Sequence, residues 1–144
     1  MISGLLALTT AAIFTGAAFY VGVVEQPARL SLDDRALLAE WKPSYRRGAA
    51  MQAPLALGGF VLGSIAWWHA SHAGFLLGAV AIIAPWPWTL IGIKPVNDAL
   101  LATATENAAP PTRALILKWG AFHAERTALG ALATTAFLWA CMPR

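Results

Sequence analysis

Charge is what this sequence has least of. Only 12% of its 144 residues are Asp, Glu, Lys or Arg, about half the share of an ordinary soluble domain. It has one cysteine, Cys141, so no disulfide can form within the chain, and the redox compartment is left open. Cys141 falls near the end of the last apolar stretch and is read there as a packing residue. There is no glycine-rich nucleotide-binding motif, which removes the usual cradle for a dinucleotide or ATP. No His-x-x-x-His or Glu-x-x-His pair lies within one apolar stretch, so a metal site has little support. Polar faces at helical period are also largely missing, which argues against a soluble helical bundle.

What is present is apolar and arranged in long blocks. Hydrophobic residues make up 58% of the chain. A bilayer-spanning helix needs roughly 20 of them in succession, because the hydrocarbon core is ~30 Å thick and a helix rises ~1.5 Å per residue. Four stretches meet that length, at about 2–24, 48–68, 73–93 and 114–139. The fold class expected is therefore all-α, a four-transmembrane-helix bundle forming one integral membrane domain over residues 1–144. The first stretch has no Lys or Arg ahead of it and exceeds the ~7–15 apolar residues of a signal-peptide core. It is expected to be a retained helix. Between the first two spans, Ser31-Leu32-Asp33-Asp34 precedes Arg35-Ala-Leu-Leu-Ala-Glu-Trp41, the pattern of a short capped helix. Ser31 is the expected N-cap, and Asp33 and Asp34 favour the first turn. Leu37, Leu38 and Trp41 would lay this helix in the membrane interface, with Pro43 ending it.

Charge placement predicts an orientation. Arg29, Arg35, Lys42, Arg46 and Arg47 lie between spans one and two, and Lys94, Arg113 and Lys118 lie in or beside the connection between spans three and four. The opposite side has only Arg144, with His69 and His72 in the turn between spans two and three. Positively charged connections remain in the cytoplasm, so both termini are expected outside, and the location read is a bacterial inner membrane. This topology accounts for the net charge of +3, and no nucleic-acid partner is inferred. The bilayer itself is the first partner. Trp86, Trp88, Trp119 and Trp139 sit near span ends, where aromatic belts form.

Small residues and prolines indicate how the helices meet. Gly59-x-x-x-Gly63 and Gly74-x-x-x-Gly78 put glycines one turn apart, and such faces serve packing within the bundle or a homo-oligomer. Pro85 and Pro87 lie inside the third span, where a kink or broken turn is expected. Irregular backbone at membrane depth is tolerated where it is buried in protein or lines a cavity, so this is a first sign of a pocket.

The polar residues in and beside the spans are the second. Ionisable groups in a bilayer are costly and usually face the bundle interior. Glu25 ends the first span, Tyr45 and Gln52 open the second, Trp86, Lys94 and Asn97 mark the end of the third, and Trp119, His123 and Arg126 lie in the fourth. With alternating directions all of these fall at one end of the bundle. Trp119, His123, Arg126 and Gly130 follow the three-and-four spacing of a single helix face, while Glu125 points elsewhere. Each has a structural counterpart: Glu25 can pair with Arg29 or Arg126, Lys94 and Lys118 can snorkel, and His123 can bond a neighbouring helix. A base, cations and aromatic walls beside a proline-broken helix nevertheless describe a small-molecule pocket. A haem, copper or iron centre would have to use His123, because His69 and His72 lie at the other end; no cofactor is expected.

Four segments carry a family resemblance: Val24-Glu-Gln-Pro-Ala-Arg29, Trp41-Lys-Pro-Ser-Tyr-Arg-Arg-Gly48, Pro87-Trp-Thr-Leu-Ile-Gly-Ile-Lys-Pro-Val-Asn97 and Lys118-Trp-Gly-Ala-Phe-His-Ala-Glu-Arg126. Together they resemble the anthrone oxygenase-like family of small four-helix membrane proteins. Pro-x-Asn after the third helix, followed by Trp-x-x-x-His-x-x-Arg in the fourth, is the most specific part. One departure is Gln26, where bacterial relatives often have His. The resemblance implies oxidation of a lipophilic anthrone-, phenol- or quinone-like molecule by molecular oxygen without a flavin. It makes His123, Arg126, Asn97, Trp119 and Glu25 the functional positions. Set against that activity, the residues supply a base in Glu25 or His123 and anion stabilisation from Arg126 and Lys94, with Trp119, Trp86 and Tyr45 as walls for the ring and Asn97 and Gln52 as further substrate contacts. The reading of another class is a non-catalytic membrane protein that binds a lipophilic ligand or supports a partner protein. A transporter has less support, since four spans are few and no internal repeat is evident.

Overall fold

The computed structural model describes residues 2–143. Among them every regular element is helical. Three helices are long and apolar enough to cross a membrane: the first helix, Ile2–Leu30, the second, Asp34–Ala70, and the third, Ala73–Ala102. They make the chain an integral membrane protein. A fourth long helix, Pro110–Cys141, completes the architecture. The first and third helices each pack against the second and fourth, so the four form a bundle in which neighbours alternate around the axis.

Short local signals set the helix ends. Asp33, not Ser31, caps the second helix: its carboxylate accepts the backbone N–H groups of Arg35 and Ala36, each at 2.9 Å. Ser31 instead donates its hydroxyl to the Ala28 carbonyl at 2.7 Å, closing the first helix. Between the second and third helices the reversal is made by Ser71 in the left-handed region, φ 51°. His72 then accepts the Gly74 N–H on Nδ1 at 3.0 Å and caps the third helix.

The expected short interfacial helix is not a separate element. The second helix runs unbroken through Pro43 and Pro54. At 37 residues it is ~55 Å long against a ~30 Å hydrocarbon core, so its first turns extend beyond the apolar region. Leu37, Leu38 and Trp41 are fully buried. They pack with Ile93, Val96, Leu100, Ile116 and Trp119 as a second core at the charged end. That packing offsets the hydrogen bond lost at Pro43 and explains why the proline does not end the helix. The larger core lies at the opposite end, around Ala7, Ala11, Phe14, Phe75, Ile82 and Phe137.

Gly63 and Gly78 both face the Phe137 ring; a Cβ on Gly63 would lie 2.7 Å from it. Gly59 meets Ile82, and Gly74 meets the backbone of Ala136. Both glycine pairs are thus filled within the chain.

Two π-helical turns interrupt the first and third helices, at Val21–Glu25 and Thr89–Ile93. Each closes with an N–H reaching five residues back, Gln26 to Val21 and Lys94 to Thr89. In each case a proline stands two residues after the turn ends, Pro27 or Pro95. A proline ring clashes with the carbonyl four residues earlier, and one residue of widening moves that carbonyl aside. Such bulges often mark functional sites. The irregularity expected at Pro85 and Pro87 is a break after Ile83 and a short Pro85–Trp88 turn, immediately before the second bulge.

Candidate functional site

Beside these bulges the helices open around a cavity of about 560 Å³. The first helix supplies Glu25 and Arg29, the second Tyr45, Arg47 and Gln52, the third Trp86 and Thr89, and the fourth Trp119, His123 and Arg126. Seven of the nine residues singled out from the sequence line it: Glu25, Tyr45, Gln52, Trp86, Trp119, His123 and Arg126.

The fourth helix contributes one functional face. His123, 4% exposed, holds its Nε2 3.1 Å from the Ala18 carbonyl on the first helix. A carbonyl only accepts, so Nε2 carries the proton and Nδ1 is the acceptor of the neutral ring. The imidazole stacks on Trp119, with centroids 5.0 Å apart and planes at 21°. Trp119 meets Trp41 edge to face at 5.7 Å, and Trp41 stacks on Tyr45 at 4.9 Å. This aromatic series fixes the ring of His123 from one side.

One turn further, Arg126 donates Nη1 to Gln52 Oε1 and Nη2 to Thr89 Oγ1, both at 3.1 Å. Its Nε is buried without a partner. Among the described residues no carboxylate pairs with it. A guanidinium held by two neutral oxygens beside a cavity retains most of its positive potential for whatever enters.

Glu25 is differently placed. Its carboxylate is engaged by Arg29, whose Nε also pairs with Glu40 at 2.8 Å. Arg29 is 3% exposed, and its guanidinium sits over the Trp119 ring at 5.7 Å. Of the two pairings open to Glu25, the one with Arg29 is formed.

Two expected residues lie outside the cavity lining. Asn97 is behind it, buried, donating Nδ2 to the Tyr45 hydroxyl oxygen at 3.1 Å. With that oxygen accepting, the phenolic proton of Tyr45 is left to donate elsewhere. Lys94 is exposed and paired with Asp98 one turn on at 2.5 Å. A solvated surface pair of this kind does not line the pocket, so Lys94 stands apart from the residues it was expected to join.

Residues not among the expected site residues also take part. Thr89 is the only hydroxyl residue in the third apolar stretch, and that isolation was the available signal. Glu40 and Ser44 lie one turn apart on the second helix, the serine hydroxyl on the carboxylate at 2.5 Å, while Arg47 stands exposed where the cavity opens. Gln26 is buried with Nε2 on the Ile116 carbonyl at 3.1 Å. It packs against Gly120, where a Cβ would lie 2.8 Å from the amide nitrogen. A smaller cavity of about 250 Å³ lies across His123 and Trp119, between the first and fourth helices. Among the described residues no group of three or more His, Cys, Asp or Glu is arranged to hold a metal ion.

A family model described as anthrone oxygenase matches residues 41–136, that is 96 of the 144 residues. The match takes in most of the second helix, all of the third and most of the fourth, but not Glu25 or Arg29. No curated protein and no solved structure matches the chain.

Proposed function

The chain belongs to the anthrone oxygenase family, and from that premise we propose that it is a membrane-embedded oxygenase acting on a lipophilic aromatic molecule with molecular oxygen. The observation that carries this reading is the cavity in which His123 and Arg126 meet aromatic walls from other helices. The substrate class is a phenolic, anthrone- or quinone-like ring system with an acidic carbon–hydrogen bond. Trp86, Trp119 and Tyr45 wall its flat body.

In the proposed reaction Nδ1 of His123 removes a proton from the substrate methylene, the role of a general base. Glu25 supports the base through the charge network and is less free to act, since Arg29 holds its carboxylate. The charge delocalised onto the substrate oxygen faces Arg126 and the Tyr45 hydroxyl, which stabilise it as it develops. Gln52 and Thr89 orient the guanidinium, and Asn97 orients the phenol. The carbanion reacts with dioxygen to form a substrate peroxide, which loses water to leave a carbonyl. The methylene gives up two hydrogens, one oxygen atom becomes the ketone, and the other leaves in water. The substrate supplies all the electrons.

In this reading the fourth helix also crosses the bilayer, with Arg126 turned inward and Lys118 at the charged end. That end faces the cytoplasm by the positive-inside rule, in a bacterial inner membrane.

The test is oxygen uptake by the purified full chain in detergent, with anthrone as substrate and anthraquinone formation followed by absorbance. Stoichiometric uptake that His123→Ala abolishes supports the reading. Saturable anthrone binding without uptake would favour the non-catalytic ligand-binding alternative, which the same cavity accommodates.

A further inference from the structure

Counting the charges around the cavity leaves two cations unmatched. Both acids near it, Glu25 and Glu40, are spent on Arg29. Arg126 and Arg47, which also line it, have no carboxylate partner among the described residues. Gln52, which holds Arg126, lies five residues beyond Arg47 on the same helix. At ~1.5 Å per residue this separates the two levels by ~7.5 Å along the axis. The deeper cation lies among apolar walls that include Phe14, Ala56 and Trp86, and the outer one is exposed. Lone cations at membrane depth are expensive unless an anion joins them.

We infer that the cavity takes a dianionic or potentially dianionic aromatic acid, with one acidic oxygen on Arg126 and a second acidic group, a carboxylate or an equivalent, on Arg47. The aromatic body spans the distance between them. A flat ring system is favoured over a phospholipid because Tyr45, Trp86 and Trp119 line the same cavity as the two cations, and aromatic faces reward rigid aromatic ligands. The outer guanidinium then discriminates among ring systems of the same size by whether they bear the second acid, and it holds the ring with its reacting end toward His123. The inference rests on the oxygenase reading only for which end reacts; the binding preference stands or falls by itself.

Tryptophan quenching of the full chain in neutral detergent tests it, using a hydroxynaphthoate whose hydroxyl and carboxylate lie at opposite ends, and its methyl ester. The ester partitions more readily into micelles, so each affinity is referred to the free ligand concentration measured in protein-free micelles of the same detergent. The acid should bind roughly threefold to tenfold more tightly than the ester, and Arg47→Gln should erase most of that ratio without changing ester affinity. Arg47 is exposed, so the variant should retain the wild-type melting temperature. Equal affinity for acid and ester, or a ratio unchanged in Arg47→Gln, would overturn the inference. So would displacement of the acid by an anionic phospholipid at equal concentration, which would assign the cations to a lipid headgroup. Selective acid binding with no oxygen uptake from anthrone would sink the oxygenase reading while leaving this one intact.

Discussion

The two ends of this bundle use the same four helices in opposite ways. Around Phe137 the helices close: Gly63 and Gly78 admit the ring, Gly74 lets the third and fourth backbones approach, and alanines fill the rest. Around His123 they open, because each of the two π turns ahead of a proline adds a residue to its helix. The closed half has no charged side chain in its core, and the open half gathers Glu25, Arg29, Arg47 and Arg126 around one space. Small residues thus give the bundle its stability where van der Waals packing is the only large force available. Backbone irregularity makes room for chemistry where packing has been given up. A site of this kind can be loose only because the other end is not.

Four substitutions test that contrast. The largest effect is expected from His123→Ala, which should reduce oxygen-dependent turnover by about 10²–10⁴-fold, the range of general-base catalysis. Anthrone binding by fluorescence should persist, and a variant that lost stability without a specific loss of turnover would show His123 to be structural. Next is Gly78→Ala in the closed half. A methyl group there meets the fully buried Phe137 ring and should cost about 1–3 kcal/mol by overpacking, seen as a lower melting temperature in detergent. Ligand affinity per folded molecule should not change; a change would show that the halves are coupled.

Thr89→Val keeps the shape of the side chain and removes an acceptor from Arg126. A hydrogen bond to a charged group is worth about 1.5–3 kcal/mol, so a loss of roughly tenfold or more in kcat/KM is expected with little change in melting temperature. If kcat/KM is retained, Thr89 is a packing residue and the guanidinium is held by Gln52 alone. The smallest effect belongs to Lys94→Ala. Its partner is Asp98 on the surface, and exposed pairs contribute about 0–1 kcal/mol. Turnover should equal wild type, and a large loss would return Lys94 to the site.

Much of this was legible along the chain, for identifiable reasons. The apolar blocks and the one-sided cations were visible because hydrophobic length and charge are properties of the sequence as such. The pairing of Trp119, His123 and Arg126 on one face followed from helical period. The place of Lys94 outside the cavity lining was not read, although Asp98, four residues on, was the visible clue to its pairing. The second helix was read as two, a short helix ended by Pro43 and a span from about residue 48, because proline is read locally, whereas the burial of Leu37, Leu38 and Trp41 that overrides it is tertiary. Thr89 and Gln52 could not be matched to Arg126 from the sequence, being 37 and 74 positions away from it.

A membrane protein with a dry end, a charged end and a proline-marked break in its third helix follows from the amino-acid order alone, since each of these depends on composition or on a neighbour a few residues away. Tertiary structure decided which polar groups meet: Arg29 took both acids, Arg126 was left with neutral partners, and His123 found the Ala18 carbonyl. The physical reason is that a side chain's partner in a bundle is set by the rotation and height of another helix. No local pattern of residues carries that information.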